Sequence, residues 1–185
     1  MTAHTIPMLL LLALAGVADA SDWTVQAGAS ALRFTGSMQG ERFEGGFDRF
    51  QAEIRFDPAD LAGARFEVTV DLASADTDNE ERDETLLGPD FFNVERSPQA
   101  HYSASRFRAD GGGFLAEGSL TLNGKTQPVP LAFRWTPGDG GAVLEGSATL
   151  DRLAFDVGAG DWADPDMIGR EVEVRTRLVL VPAAQ

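Results

Sequence analysis

Arg65-Phe66-Glu67-Val68-Thr69-Val70-Asp71-Leu72 alternates polar and apolar side chains without a break. Side chains of an extended strand point alternately to opposite faces, so Phe66, Val68, Val70 and Leu72 share one face and the charged set the other. The same alternation returns in 171–180, where Val172, Val174, Leu178 and Leu180 oppose Glu171, Glu173, Arg175 and Arg177. Phe50 to Phe56 and Phe114 to Leu122 repeat it. Asn123-Gly124 is a two-residue hairpin signature, leading into Val129 to Trp135. Gly138-Asp139-Gly140-Gly141 turns the chain into Ala142 to Leu150. Trp23 to Met38, Phe43 to Phe47 and Ala100 to Arg108 complete a set of about eight strands separated by turn signals. One segment breaks the pattern. Thr77-Asp78-Asn79-Glu80 has the capping-box form, acids crowd the first turn, and Gly88-Pro89 ends the run. It predicts a short helix over Asp78 to Leu87.

Composition narrows the function. The chain has 185 residues, 43% hydrophobic, which fits one folded domain. Its net charge of −14 opposes both a nucleic-acid backbone and an anionic bilayer surface. With no Cys there is no thiol chemistry, Cys-bound metal or disulfide. His4 and His101 are the only histidines, too few for a His-based triad or a multi-His metal centre. No nucleophile–base pair is visible, and the chain reads as a non-enzyme with no metal site. The acidic stretch Asp76 to Glu84 lacks the glycine and spacing of a calcium loop. Arg82-Asp83 are adjacent and cannot face each other on a helix, so each is expected to bond a different partner and clamp the helix to the body.

Residues 1–20 read as a secretory signal. Ile6 to Val17 is apolar but too short for a bilayer, and Ala18-Asp19-Ala20 matches the pattern cut by signal peptidase. The expectation is a periplasmic protein starting at Ser21, with 21–185 as one domain and no stable membrane insertion after cleavage. Strands with one apolar face must pack as two sheets or close into a barrel, and the strand pattern leaves both open. Ala116, Gly118, Gly146 and Ala148 share faces with Leu and Phe, which leaves room inside or accommodates a bend.

Several blocks in order are similar to the YceI-like family of periplasmic polyisoprenoid-binding proteins. They are Ser30-Ala31-Leu32-Arg33-Phe34, Gly45-Gly46-Phe47-Asp48-Arg49-Phe50 and Ile54-Arg55-Phe56-Asp57-Pro58. The most specific runs from Ala73 to Asp83 and on through Leu86-Leu87-Gly88-Pro89-Asp90-Phe91-Phe92-Asn93-Val94. Gly118 to Val129, Leu150 to Phe155 and the closing Glu171 to Val174 follow. The chain departs from the family at Ala29 and within Thr35-Gly36-Ser37-Met38, where members carry histidines, so no role of those histidines transfers. The resemblance implies an all-β fold: an eight-stranded antiparallel lipocalin-like barrel with one short helix. It also implies a long isoprenoid ligand, a quinone such as ubiquinone or a polyprenyl lipid, in place of any other cofactor, and leaves a homodimer open.

Strand parity selects an apolar ligand lining of Phe66, Val68, Val70, Leu120, Leu122, Phe133, Trp135, Val174 and Leu178, with Phe91 and Phe92 closing one side. Trp162, in the acidic stretch Asp161 to Asp166, is either a lid over the barrel mouth or a core plug. An acid-rich surface makes a pyrophosphate head awkward unless Lys125, Arg82 or Arg134 sits at the rim, and a neutral quinone is the easier guest. The rival reading is a stress-response binding or scaffold protein whose barrel is filled by its own side chains.

Overall fold

The computed structural model describes residues 21–184. The expected secretory signal lies outside the described residues. The strands are β1 (Asp22–Val25), β2 (Ala31–Met38), β3 (Glu41–Phe47), β4 (Phe50–Arg55), β5 (Arg65–Asp71), β6 (Ala75–Asp76), β7 (Gln99–Asp110), β8 (Gly113–Leu122), β9 (Lys125–Gly138), β10 (Gly141–Asp151) and β11 (Glu171–Pro182). One α-helix, α1 (Glu80–Leu87), stands among them. Pairing is antiparallel in the order β1–β4–β5–β7–β8–β9–β10–β11, and β11 pairs back onto β1. That ring of eight is closed, so no long edge is left unpaired. Of the two arrangements open to the alternating strands, the barrel is realised.

Three neighbouring staves are interrupted at mid-height. β11 pairs with β1 through residues 180–182 and with β2 through 173–177, so β2 continues the line of β1 beyond a 3-10 turn at Ala27–Ala29. β3 likewise continues β4 past Asp48-Arg49, and β6 continues β5 past a 3-10 turn at Leu72–Ser74. The other staves run uninterrupted; hairpin turns of two residues join β7 to β8, β8 to β9 and β9 to β10, and a loop over 152–170 joins β10 to β11. Asn123 and Gly124 sit at φ 50° and 74° in the β8–β9 turn, the left-handed pair that such a turn requires.

The interior divides along the barrel axis. At the end holding the β4–β5 loop, Phe56 stands within 4.9 to 6.1 Å, ring centre to ring centre, of Phe66, Phe107, Phe114, Phe133 and Trp135. Phe56 meets each of these rings edge-on or tilted, a favoured aromatic geometry, Phe114 and Phe133 stack on each other, and Trp23 closes the group 5.0 Å from Trp135. Phe107 joins them through a bulge: the β7 register shifts between Ala104 and Phe107. Plain alternation from Ala104 would turn Arg106 inward. The bulge sends Arg106 out to an ion pair with Glu117 at 3.1 Å and brings Phe107 in. Gly146 faces Leu131 and Phe133, whose atoms lie 3.1 and 3.2 Å from where its Cβ would stand. At the opposite end the barrel is capped by α1, the Phe91–Phe92 segment and a loop over 152–170.

The helix starts two residues later than expected. Asn79, not Thr77, is the N-cap, its Oδ1 accepting from the Arg82 amide at 2.9 Å. Thr77 is buried and does other work. Its amide and its hydroxyl donate to Asp83 Oδ1 at 2.9 and 2.6 Å, while its Oγ1 and carbonyl accept from Arg82 Nε and Nη2 at 2.8 Å each. The expectation of separate partners for Arg82 and Asp83 is therefore corrected. Both converge on one threonine, because the strand entering the helix curls back against its first turn. The clamp itself stands.

Candidate functional site

Above the aromatic cluster lies a cavity of about 510 Å³, within the range of small-molecule sites. Its walls are rows of inward side chains set by register. Ala52, Val68, Tyr102 and Leu120 lie side by side across four adjacent strands, and Phe50, Val70 and Ala100 form the next row up. β2 and β3 supply Leu32, Phe34, Phe43 and Phe47, with Phe34 and Phe47 5.3 Å apart. Polar lining gathers at one end, with Ser37 at the β2–β3 hairpin, Asn79, Glu81, Arg82 and Thr85 on or beside α1, and Arg152 beneath the loop; Tyr102 and Thr176 are the polar residues lower in the wall. Asn79, Glu81 and Thr85 are exposed as well as lining, which places the mouth among α1, that hairpin and the loop around Trp162 to Gly169. Met38 and Met167 are the exposed large hydrophobic residues among those described, and Met38 lines the cavity. The Gln39 amide donates to Met167 O at 2.8 Å, tying hairpin to loop.

Arg152 builds that loop. It is 3% exposed, yet no carboxylate lies within ion-pair distance of it among the described residues. Nε donates to Gly169 O at 3.0 Å, Nη1 to Val157 O at 2.9 Å and to Gly158 O, and Nη2 to Trp162 O at 2.7 Å and Ile168 O at 2.8 Å. All five N–H groups of the guanidinium are used, each on a carbonyl that a buried loop would otherwise leave unsatisfied. Burial pulls its pKa down, and the neighbouring Asp151 carboxylate opposes that loss of charge. Gly158 must be glycine here. Its φ is +61°, and a Cβ would come within 2.7 Å of Arg152 Nη1 and 2.9 Å of Phe91.

Of the residues selected by parity, Phe66, Val68, Val70, Leu120, Leu122, Val174 and Leu178 line the cavity, and Phe91 and Phe92 close its capped end. Phe133 and Trp135 do not line it and are corrected. They point inward as expected but sit at the far end of β9, inside the aromatic cluster around Phe56. Parity assigns a face; it does not assign a height along the axis. Trp162 packs against the core cluster and faces the cavity as well. It lines the cavity from the loop, its ring 5.7 Å from Phe91 and its Nε1 3.4 Å from Asp90 Oδ2. The parity selection missed the row on β2 and β3. Its signal was present but diluted: Leu32 and Phe34 share a face with Gly36, and Phe43 and Phe47 share one with Gly45. Those inward glycines are where the neighbouring rings pass. A Cβ on Gly36 would come within 2.8 Å of the Phe43 ring, and one on Gly45 within 2.5 Å of the Phe34 ring. Among the three rim candidates, Arg82 lines the cavity. Lys125 is paired with Asp156 at 2.8 Å, and Arg134 belongs to an outer groove of the barrel wall. His101 is exposed, 3.2 Å from Thr69 Oγ1.

The model of the YceI-like domain matches residues 23–180, almost the whole barrel. The chain belongs to the YceI-like family. Family relatives include a UPF0312 protein of Serratia proteamaculans, 39% identical over 87 residues, which are 47% of this chain and 45% of the relative. A UPF0312 protein of Yersinia pestis is 37% identical over 92 residues, 50% and 48% of the two chains. The chain thus spans about half the length of these curated relatives. Among solved structures, Burkholderia cenocepacia BcnA superposes with a TM-score of 0.80 at 29% identity, over 84% of this chain and 98% of BcnA. A polyisoprenoid binding domain from Saccharophagus degradans superposes with a TM-score of 0.67 at 16% identity, over 87% and 98%; at that identity the likeness is one of YceI-like fold.

Proposed function

We propose that this YceI-like chain is a non-catalytic carrier or reservoir for a long-chain isoprenoid lipid, a quinone or a polyprenyl lipid, working in the periplasm. The observation that carries the reading is the cavity: walled mainly by Leu, Val, Phe and Ala side chains, opening at one end, with its charged side chains gathered at that end. Such a space suits a guest with a long apolar body and one polar end. Each isoprene unit adds about five carbons, and burying a CH₂ is worth about 0.8 kcal/mol, so a few units suffice for tight binding before ordering costs. No hydrogen bond along the tail is needed. The Saccharophagus degradans domain, described as polyisoprenoid binding, supports the choice of guest. The rival reading, a barrel filled by its own side chains, describes the Phe56 end and leaves the upper half unexplained.

Organic extraction of the protein purified from its native host, followed by mass spectrometry, tests the proposal. A reproducible isoprenoid mass is expected. Protein that yields none and also takes up no added long-tailed quinone overturns it. Export is tested separately by N-terminal sequencing, expected to begin at Ser21; recovery of Met1 from the mature fraction refutes it.

A further inference from the structure

Two arginines reach the cavity, and they differ in how their N–H groups are used. Arg152 has none to spare, because its whole guanidinium is spent on backbone carbonyls of the loop. Arg82 has spent part of its fork. Nε and one Nη2 hydrogen go to Thr77, and among the described residues nothing accepts from Nη1 or forms an ion pair with the group. Its guanidinium carbon lies 4.7 Å from the centre of the Phe43 ring, and both residues line the cavity at its mouth. A guanidinium carries five donors and no acceptor. Left beside an apolar wall, the remaining donors lack partners other than water or a ligand.

The group is also held in place. Thr77 takes Arg82 on its two oxygens and passes its own hydroxyl and amide hydrogens to Asp83, so the arginine is braced by a buried residue and the first turn of α1. The Phe43 ring adds a cation–π contact, its centre 4.7 Å from the guanidinium carbon. A donor fork that is fixed before the ligand arrives loses little freedom on binding.

We propose that the unspent side of the Arg82 guanidinium is the head-group site: it donates to an acceptor oxygen of the lipid while the tail fills the cavity below. This rests on the lipid-carrier reading. The required chemistry is an oxygen acceptor at the end of an apolar tail, met by a quinone carbonyl or a phosphate oxygen alike. An isoprenoid hydrocarbon gains nothing from the site.

Binding of three probes of similar tail separates these cases: a long-tailed ubiquinone, a polyprenyl monophosphate and squalene. Each is titrated into delipidated wild type, Arg82→Gln and Arg82→Lys. A charge-assisted hydrogen bond predicts that wild type favours an oxygen-headed probe over squalene by roughly ten- to hundredfold. Which probe is favoured identifies the head group. Arg82→Gln is expected to lose that preference while holding squalene as before, which also certifies its fold. Arg82→Lys is expected to keep part of it for the phosphate, because a point charge survives, and little for the carbonyl. The wild-type comparison decides without any variant: squalene bound as tightly as both headed probes overturns the head-group site. So does a folded Arg82→Gln that retains the preference. A wild type that takes up none of the three overturns the carrier reading instead.

Discussion

Tyr102 is the only tyrosine in the chain, and its hydroxyl is in an unusual position. It lies where a side chain of Gly118 would be; a Cβ there would come within 2.2 Å of it. Among the described residues it is the buried side-chain polar atom without a hydrogen-bond partner. Burial pushes the phenol pKa far above its ordinary 10, so it stays protonated at any physiological pH. The ring spans the boundary between the cavity and the aromatic cluster, which explains the tyrosine's size but not its oxygen. A buried hydroxyl with no partner costs more than it returns. Tyr102→Phe is therefore expected to leave delipidated protein unchanged or more stable, by up to about 1 kcal/mol in urea denaturation. A loss of similar size would reveal a partner for the hydroxyl. Arg152 stands at the other extreme, with every donor used, and shows how the same fold satisfies a buried charge through carbonyl dipoles alone.

At the scale of the element, α1 owes its position to two residues with separate jobs. Asn79 caps the helix from the solvent side, and Thr77 clamps it from the buried side. Asn79→Ala removes one accepted hydrogen bond and is expected to cost about 1 kcal/mol. Thr77→Val keeps the shape but strands Arg82 Nε and leaves Asp83 Oδ1 with the backbone amide alone, so a larger cost of about 1–3 kcal/mol is expected. Thermal melts of the two variants side by side check the order; equal small losses would show that the clamp adds nothing to stability. The loop over 152–170 follows the same logic with a different device, since its irregular backbone is satisfied from the inside by Arg152 and threaded through Gly158 at positive φ.

The whole molecule is a barrel with one packed end and one hollow end, and the two ends should answer a larger side chain differently. Val70 lines the cavity. Val70→Trp is expected to remain folded with little change in melting temperature while losing most lipid uptake, because open space absorbs the added volume. Ala116, fully buried between the aromatic cluster and the β9 wall, has no such space; Ala116→Leu is expected to cost about 1–3 kcal/mol through overpacking. Both variants should be assayed for melting temperature and lipid content together. Full lipid retention with a large stability loss in Val70→Trp would place Val70 in packed core. The surface supplies a prediction for pH. Hydrogen bonds from Arg55, Arg49 and Arg170 lower the pKa values of Asp22, Asp71 and Asp151 below their ordinary 3.8. A carboxylate with a depressed folded-state pKa contributes stability that is present above the unfolded value and disappears as pH falls through the folded one. Because these pairs are exposed, each contribution is small. Melting temperature measured from pH 7 to pH 2 is expected to show their loss only below about pH 4. A decline already complete by pH 5 would contradict this assignment.

Alternation along 65–72, 114–122 and 171–180 was enough to identify strands and to say which side chains face inward, because a strand has only two faces and burial must choose one. The Asn-Gly turn was equally legible, being short-range chemistry, and so was the presence of the helix; its cap was not, because Thr77 is drawn into the clamp and Asn79 takes its place. Height along the barrel was not. Phe133 and Val129 share a face of β9, yet one belongs to the aromatic cluster and the other to the cavity, and that depends on the stagger between neighbouring strands. The bulge at Ala104 to Phe107 was hidden for the same reason: it restores burial across strands that are far apart in sequence. Arg82 and Arg152 look alike in the sequence. Tertiary structure separates them, because the number of carbonyls within reach of each guanidinium depends on how distant loops fold over it, and no local pattern encodes that count.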